Sequence, residues 1–257
     1  MSVTDQGFII HQFARFAELT DHEQQLLSQL EQDPRTYDAE LELAVAGSDS
    51  DKLFTLQSGW AYSFRTLADG QRQILDIFLP GQILGLREIS FSRNLSEIRT
   101  LTDVVACPFP RQRLAGIFAK APRLTDLFLL TMAREQSMLI ERVINIGRRS
   151  AAERLAHFIV EIQTRLAIRS LAFTLPMNQT LIADALSLSS VHVSRTFKQL
   201  REMGLIENQN GHIEIIDLEG LIDFSGFDRS YLEFNCDWTR PSSLNPDNSM
   251  FIQPLQS

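Results

Sequence analysis

Between Pro122 and Gly147 the chain contains neither proline nor glycine, and Leu129, Met132, Gln136, Leu139, Val143 and Ile146 recur there in steps of three and four. Residues at that spacing share one helix face, so the stretch reads as one long helix. An apolar seam with a single polar member, Gln136, is the pattern of a helix that meets another helix. The seam packs either on the chain's own body or on a second copy. Phe128 and Leu130 fall off the seam and are free for the body, so the six seam residues are read as a homodimer interface. With 257 residues the chain has room for about two domains, and the central helix separates two stretches of different texture.

Ahead of the helix, Thr20-Asp-His-Glu23 has capping-box spacing and is followed by Leu26, Leu27 and Leu30 before Pro34, which predicts a helix of about three turns. From roughly residue 36 to 118 the chain breaks into short runs of Val, Ile, Phe and Leu separated by Ser58-Gly59, Asp69-Gly70 and Pro80-Gly81. Asp69-Gly70 predicts a tight hairpin, since Asp-Gly readily supplies positive φ. Short strands at this spacing predict a sandwich or jelly roll.

Beyond Gly147 a second capping box, Ser150-Ala-Ala-Glu153, opens a helix carrying Leu155, Phe158, Ile159 and Ile162. The segment from Asn178 to Gly204 then places Ile182, Ala183, Leu186, Ser187, Leu188 and Val193 at helix-turn-helix offsets. Ala183 must be small where two helices approach, Leu186 and Val193 fill the wedge, and Ser187 takes the turn. A serine there, where glycine is usual, predicts some backbone strain. Ser189 reads as the N-cap of a recognition helix over 189–203, with Ser190, Val191, Ser194, Arg195 and Lys198 outward and Val193, Phe197 and Leu200 inward. Leu205-Ile-Glu, Asn210-Gly211 and Ile213-Glu-Ile predict a hairpin wing, and Asp217 a further capped helix.

These residue types suit double-stranded DNA. Arg195 can pair bidentately with guanine O6 and N7, and Val191 can meet a thymine methyl. Ser190, His192 and Ser194 suit bases or phosphates; Lys198 and Arg201 suit phosphates, with Asn178, Thr180 and Ser189 completing the expected DNA-binding set. A plain three-helix domain with solvated Arg and Lys is the competing reading, weakened by the long helix before and the wing after.

The net charge of −8 excludes a polycation that coats nucleic acid, but from Ser190 to Arg201 there are three cations and no acid. Cys107 and Cys236 are too few for an iron–sulfur cluster within one chain. Cys107, among apolar neighbours, is expected to be buried and inert, and His11, His22, His157, His192 and His212 to be surface or packing residues. No apolar run is long enough to span a membrane, and no basic segment precedes an apolar one at the N-terminus, so a cytoplasmic protein is expected. No nucleophile motif, metal-ligand spacing or phosphate-cradling glycine loop points to an enzyme.

Pro80-Gly81-Gln-Ile-Leu-Gly85-Leu-Arg87, Ile146-Gly147-Arg-Arg-Ser150-Ala-Ala-Glu-Arg-Leu155 and Ser190-Val-His-Val-Ser-Arg195-Thr together resemble the CRP/FNR superfamily of bacterial transcription regulators. The resemblance implies an α+β fold: an N-terminal helix plus cyclic-nucleotide-binding-like β-roll sensor (1–121), a long dimerisation helix (122–147), a winged helix-turn-helix (148–228) and a C-terminal tail (229–257). It also implies a homodimer on palindromic DNA, RNA polymerase as partner of an activator, and an effector pocket in the roll. At that pocket the chain departs from the cyclic-AMP pattern: Leu86 follows Gly85 where those members carry glutamate, Asn94-Leu95-Ser96 lacks their phosphate-binding arginine, and Leu139 and Ile140 stand where they carry hydroxyls. Cyclic AMP is therefore disfavoured, and the residues name no other cofactor. Gly85, Arg87, Glu88, Arg99, Leu139 and Ile140 are the pocket candidates, with Arg87, Glu88 and Arg99 either lining a site for another anion or forming structural ion pairs. The alternative function is a signalling protein acting through the roll without reading DNA.

Overall fold

The structure is a computed structural model that describes residues 7–168 and 170–233. Cys236 and residues 234–257 of the expected tail lie outside the described residues.

Two short helices, α1 (Phe8–Ala14) and α2 (Asp21–Ser28), open the described residues. The expected capping box is present in α2: Thr20 accepts from Glu23 N, and Glu23 reaches back to Thr20 N at 2.8 Å. Eight strands follow: β1 (Arg35–Tyr37), β2 (Glu42–Ala44), β3 (Lys52–Ser58), β4 (Ala61–Thr66), β5 (Arg72–Phe78), β6 (Ile83–Leu84), β7 (Glu97–Thr100) and β8 (Val104–Pro110). They form two antiparallel four-stranded sheets, ordered β1-β8-β3-β6 and β2-β7-β4-β5. Phe54, Leu56, Ala61, Phe78, Leu84, Ile98, Val104 and Ala106 pack together in a core built from both sheets. This is the expected roll.

The β4–β5 hairpin differs from the expected tight turn. Thr66 pairs with Arg72, leaving residues 67–71 as the loop, and of the Asp69-Gly70 pair only Gly70 has positive φ, 82°. The strand texture read up to residue 118 also conceals a helix, α3 (Gln112–Lys120), whose Leu114 and Ile117 are buried beneath the roll's outer face.

The long helix α4 (Pro122–Arg148) starts with Pro122 in its first turn, where the missing N–H costs nothing, and ends just past Gly147. Phe128 and Leu130 are buried against Phe13, Leu27 and Leu114, so the off-seam residues do meet the body. Next comes α5 (Ala151–Leu166), opened by the Ser150–Glu153 capping box. Strand β9 (Ala172–Thr174), helices α6 (Gln179–Leu186) and α7 (Ser190–Glu202), strands β10 (Ile206–Gln209) and β11 (His212–Ile215), and α8 (Leu218–Ser225) complete the second half. The small sheet runs β10-β11-β9, and Asn210 and Gly211 both take positive φ (50° and 81°) at the wing's two-residue turn. Within the stretch assigned to the tail, Arg229–Leu232 form a 3₁₀ turn with Leu232 buried.

Candidate nucleic-acid interface and the roll pocket

Helices α6 and α7 are held at a fixed angle by the small and apolar residues between them. Ala183, Leu186, Val193, Phe197 and Leu200 are all buried in the core that also contains α5 and the wing. Ser187 joins the helices in the left-handed region (φ 53°, ψ 49°). Glycine would adopt this freely; the serine hydroxyl instead donates to Gln73 Oε1 of β5 at 2.6 Å. Beside it, the Arg72 guanidinium pairs with Asp184 of α6 at 2.8 Å. The helix-turn-helix is thus fastened directly to the roll's β4–β5 hairpin, a contact between segments too distant in sequence for spacing to reveal.

Helix α7 presents Val191, His192, Ser194, Arg195 and Lys198 to solvent, with Ser190 half-buried. Ser189 caps it by accepting from His192 N, and Asn178 caps α6 by accepting from Leu181 N. The oxygens of Asn178 and Ser189 are therefore engaged in holding the helices, while Thr180 is exposed on the first turn of α6. The cations divide into three situations. Among the described residues Arg195 makes no ion pair or hydrogen bond; Lys198 makes an exposed pair with Glu202 at 3.5 Å; Arg201 donates to Asn208 Oδ1 of the wing at 2.5 Å. An exposed pair such as Lys198–Glu202 contributes little and is readily exchanged for a phosphate.

On α4, Leu129 is 58% exposed and Val143 65% exposed, with Gln136 and Ile146 also exposed. Met132 and Leu139 are half-buried, Met132 against the roll core. Leu129, Ala133, Gln136, Ile140 and Val143 form an outward line at heptad spacing, and with Ile146 four of the six expected residues are exposed.

In the roll, Gly85, Arg87 and Glu88 line a cavity of about 40 Å³ together with Ser63, Ser96 and Glu135. Arg99 lies elsewhere, paired with Glu42 at 2.6 Å and placed over the Phe64 ring. Leu139 and Ile140 do not line the cavity either: α4 reaches it one turn earlier, through Glu135, and Ile140 points to solvent.

Arg87 leads from this cavity into a buried ion network. It contacts Asp76 at 2.8 Å and Glu135 at 3.6 Å; Asp76 also meets Arg142 of α4 at 2.9 Å and Arg165 of α5 at 3.8 Å. Arg142 and Arg165 further donate to the carbonyls of Leu75 and Ile77. Burial alone would raise the Asp76 carboxyl, but the guanidiniums of Arg142, Arg165 and Arg87 outweigh it and hold it well below the usual carboxylate range. Glu135 goes the other way: burial, reinforced by Asp76, pushes it up to about 7. Glu161 of α5 pairs with Arg165 and accepts from Tyr231, so the network spans the roll, the long helix and the second half of the chain.

At the α4–α5 break, His157 is fully buried, bonded through Nδ1 to Asn145 and packed edge-on to Phe227, and burial brings its pKa down to about 4. It is a packing histidine, as expected, and Cys107 is likewise buried, its thiol pushed up to about 11 by burial. Among the described residues no helix is long and apolar enough to cross a membrane.

Comparisons with known proteins agree with this architecture. Residues 34–121 match the cyclic nucleotide-binding domain and residues 153–224 the Crp-like helix-turn-helix domain. The nitrogen fixation regulation protein FixK of Rhizobium meliloti is 32% identical over 187 residues, covering 72% of this chain and 84% of FixK. The anaerobic regulatory protein of Haemophilus influenzae is 28% identical over 191 residues, 73% of this chain and 74% of its own. The solved structure of FixK2 from Bradyrhizobium japonicum shares the fold, with a TM-score of 0.69 at 24% identity, covering 74% of this chain and 96% of that one.

A roll, a long helix and a winged helix-turn-helix define a regulator of transcription rather than an enzyme. The chain belongs to the CRP/FNR family of transcription regulators.

Proposed function

We propose that the protein acts as a homodimer that reads a palindromic DNA site by placing the helix over 189–203 in the major groove of each half-site. The observation that carries this reading is the Arg195 guanidinium, without a partner among the described residues and exposed between Ser194 and Lys198 on a helix whose opposite face is locked into the core by Val193, Phe197 and Leu200. Arg195 reads guanine; Val191, His192, Ser190 and Ser194 lie on the same exposed side for further base and phosphate contacts. Lys198 neutralises phosphate, Thr180 adds a contact from α6, and Arg201, tied to Asn208, sets the wing against the recognition helix. Asn178 and Ser189 act through the caps they form.

The outward line of α4 supports a two-fold dimer along that helix, with residues 1–121 as sensor, 122–147 as dimerisation element and 148–228 as DNA-binding element. Half-sites then lie about one helical turn apart, roughly 34 Å. The protein works in the cytoplasm, and where it activates transcription RNA polymerase is its further partner.

A salt titration of DNA binding tests the proposal. Phosphate contacts by the recognition helix require log affinity to fall linearly with log salt, by about 0.9 for each phosphate contacted. Affinity for DNA that is absent, or insensitive to salt, supports instead a signalling protein that acts through the roll.

A further inference from the structure

In the loop before β7, two consecutive backbone amides converge on one carboxylate. Leu95 N donates to Glu88 Oε2 at 2.7 Å, and Ser96 N to Glu88 Oε1 at 3.0 Å; the Ser96 hydroxyl donates to the same carboxylate. Successive N–H groups aimed at one point make a cradle for an anion, and charge-assisted bonds of this kind are the strong ones. Glu88 and Ser96 are both buried, so the two bonds from Ser96 are shielded from water, and the one from Leu95 is partly so.

Gly85 makes the arrangement possible. It takes the left-handed region (φ 86°), where a Cβ would come within 3.1 Å of Leu53 Cδ2, and starts the 3₁₀ turn Leu86–Glu88 that brings Glu88 round to the cradle. Arg87, the neighbouring cation, lines the same cavity but turns its charge to other partners. It is engaged by Asp76 and Glu135.

A roll of the cyclic nucleotide-binding type implies a ligand with a cyclic phosphate, and the residues present do not fit one. The amide and hydroxyl donors are taken, the cation is taken, and the cavity of about 40 Å³ is far below the roughly 300 Å³ of even a small ligand pocket. Two carboxylates, Asp76 and Glu135, also stand behind Arg87. We infer that Glu88 is a built-in replacement for the anionic ligand: it fills the roll's anion cradle from within and excludes cyclic nucleotides, so the roll keeps its filled form without an effector. Being tethered, the carboxylate competes at an effective concentration on the order of millimolar or above, whereas a free anion must bring contacts that this cavity has no room to make.

The test uses the full chain and no DNA, so its failure is distinguishable from failure of the proposed DNA readout. Thermal unfolding and amide NMR are followed while inorganic phosphate or cyclic AMP is titrated against matched ionic strength, for the native protein, Glu88→Ala and Glu88→Gln. The native protein is expected to respond to neither, with the Leu95 and Ser96 amides protected from hydrogen exchange throughout. Glu88→Ala should gain saturable phosphate binding at least about tenfold tighter than the native protein, with shifts at Leu95 and Ser96. Should Glu88→Ala not fold, the isosteric Glu88→Gln and the native exchange rates carry the test. Saturable cyclic-AMP binding by the native protein, fast exchange of the two amides, or a folded Glu88→Ala that remains blind to phosphate would each overturn the inference.

Discussion

The Asp76 carboxylate of β5 lies 2.9 Å from the Arg142 guanidinium of α4, in a position where its side chain is 1% exposed. This pair joins the roll to the long helix, and Arg165 extends it to α5. Replacing Asp76 by Ala leaves Arg87, Arg142 and Arg165 with their contacts to Glu135 and Glu161, an excess of positive charge inside the protein. Breaking a buried ion network from one side costs about 3 to 5 kcal/mol, because uncompensated charge remains inside. Urea unfolding should show a loss of that size, and a loss below about 1 kcal/mol would contradict the role given to Asp76.

His157 and Glu135 oppose one another in pH dependence. His157, with a folded pKa of about 4, is held neutral, so the unfolded chain binds more protons between about 4 and 6.5 and stability rises with pH across that window. Glu135, raised to about 7, binds more protons when folded, so between about 4.5 and 7 its contribution falls as pH rises. The two slopes offset in the native protein. Glu135→Gln should expose the histidine slope, making the protein more stable at pH 6.5 than at pH 5 by an increment larger than native; His157→Gln should reverse the sign. Equal pH slopes in all three proteins, measured by urea unfolding, would refute this assignment.

Val143 stands far out from the body on the outward line of α4. A Val143→Glu substitution places a charge in the seam of both copies and should weaken dimerisation by more than about tenfold, or about 1.4 kcal/mol, without unfolding the chain. Sedimentation velocity with circular dichroism checks both halves of the statement. A dimer of native strength would show that the seam is not the interface.

Lys198 and Arg201 should behave differently although both are cations of one helix. Lys198→Ala should weaken DNA binding evenly across sequences and reduce the salt slope by about one. Arg201→Ala loses the bond to Asn208 as well and should also increase hydrogen exchange in the wing strands. Identical exchange in the wing of both variants would rule out the positioning role of Arg201.

The features legible in the sequence are those whose physics is local. The Thr20–Glu23 and Ser150–Glu153 capping boxes, the Asn210-Gly211 turn and the offsets from Ile182 to Val193 each depend on residues a few positions apart, and each is realised. Helix α3 was hidden because no side chain caps it and only Leu114 and Ile117 mark its buried face. The pocket candidates Leu139 and Ile140 were displaced by a single turn, since helical spacing fixes relative faces but not which turn reaches the cavity. The ion network joins positions from 76 to 231, beyond any spacing argument; its one sequence trace is Asp76, a lone charge within the apolar run Ile74-Leu75-Asp76-Ile77-Phe78. The clasp of Arg72 and Gln73 on α6 left no trace at all.

Direct readout by Arg195 is tested most directly by selecting binding sites from random duplex DNA with the native protein and with Arg195→Ala. The native protein should select a palindrome, and the variant should lose the preference for one symmetry-related guanine in each half-site, at a cost of about 1 to 3 kcal/mol there, while other positions are kept. An unchanged motif in the variant, or selected sites without two-fold symmetry, would contradict the account.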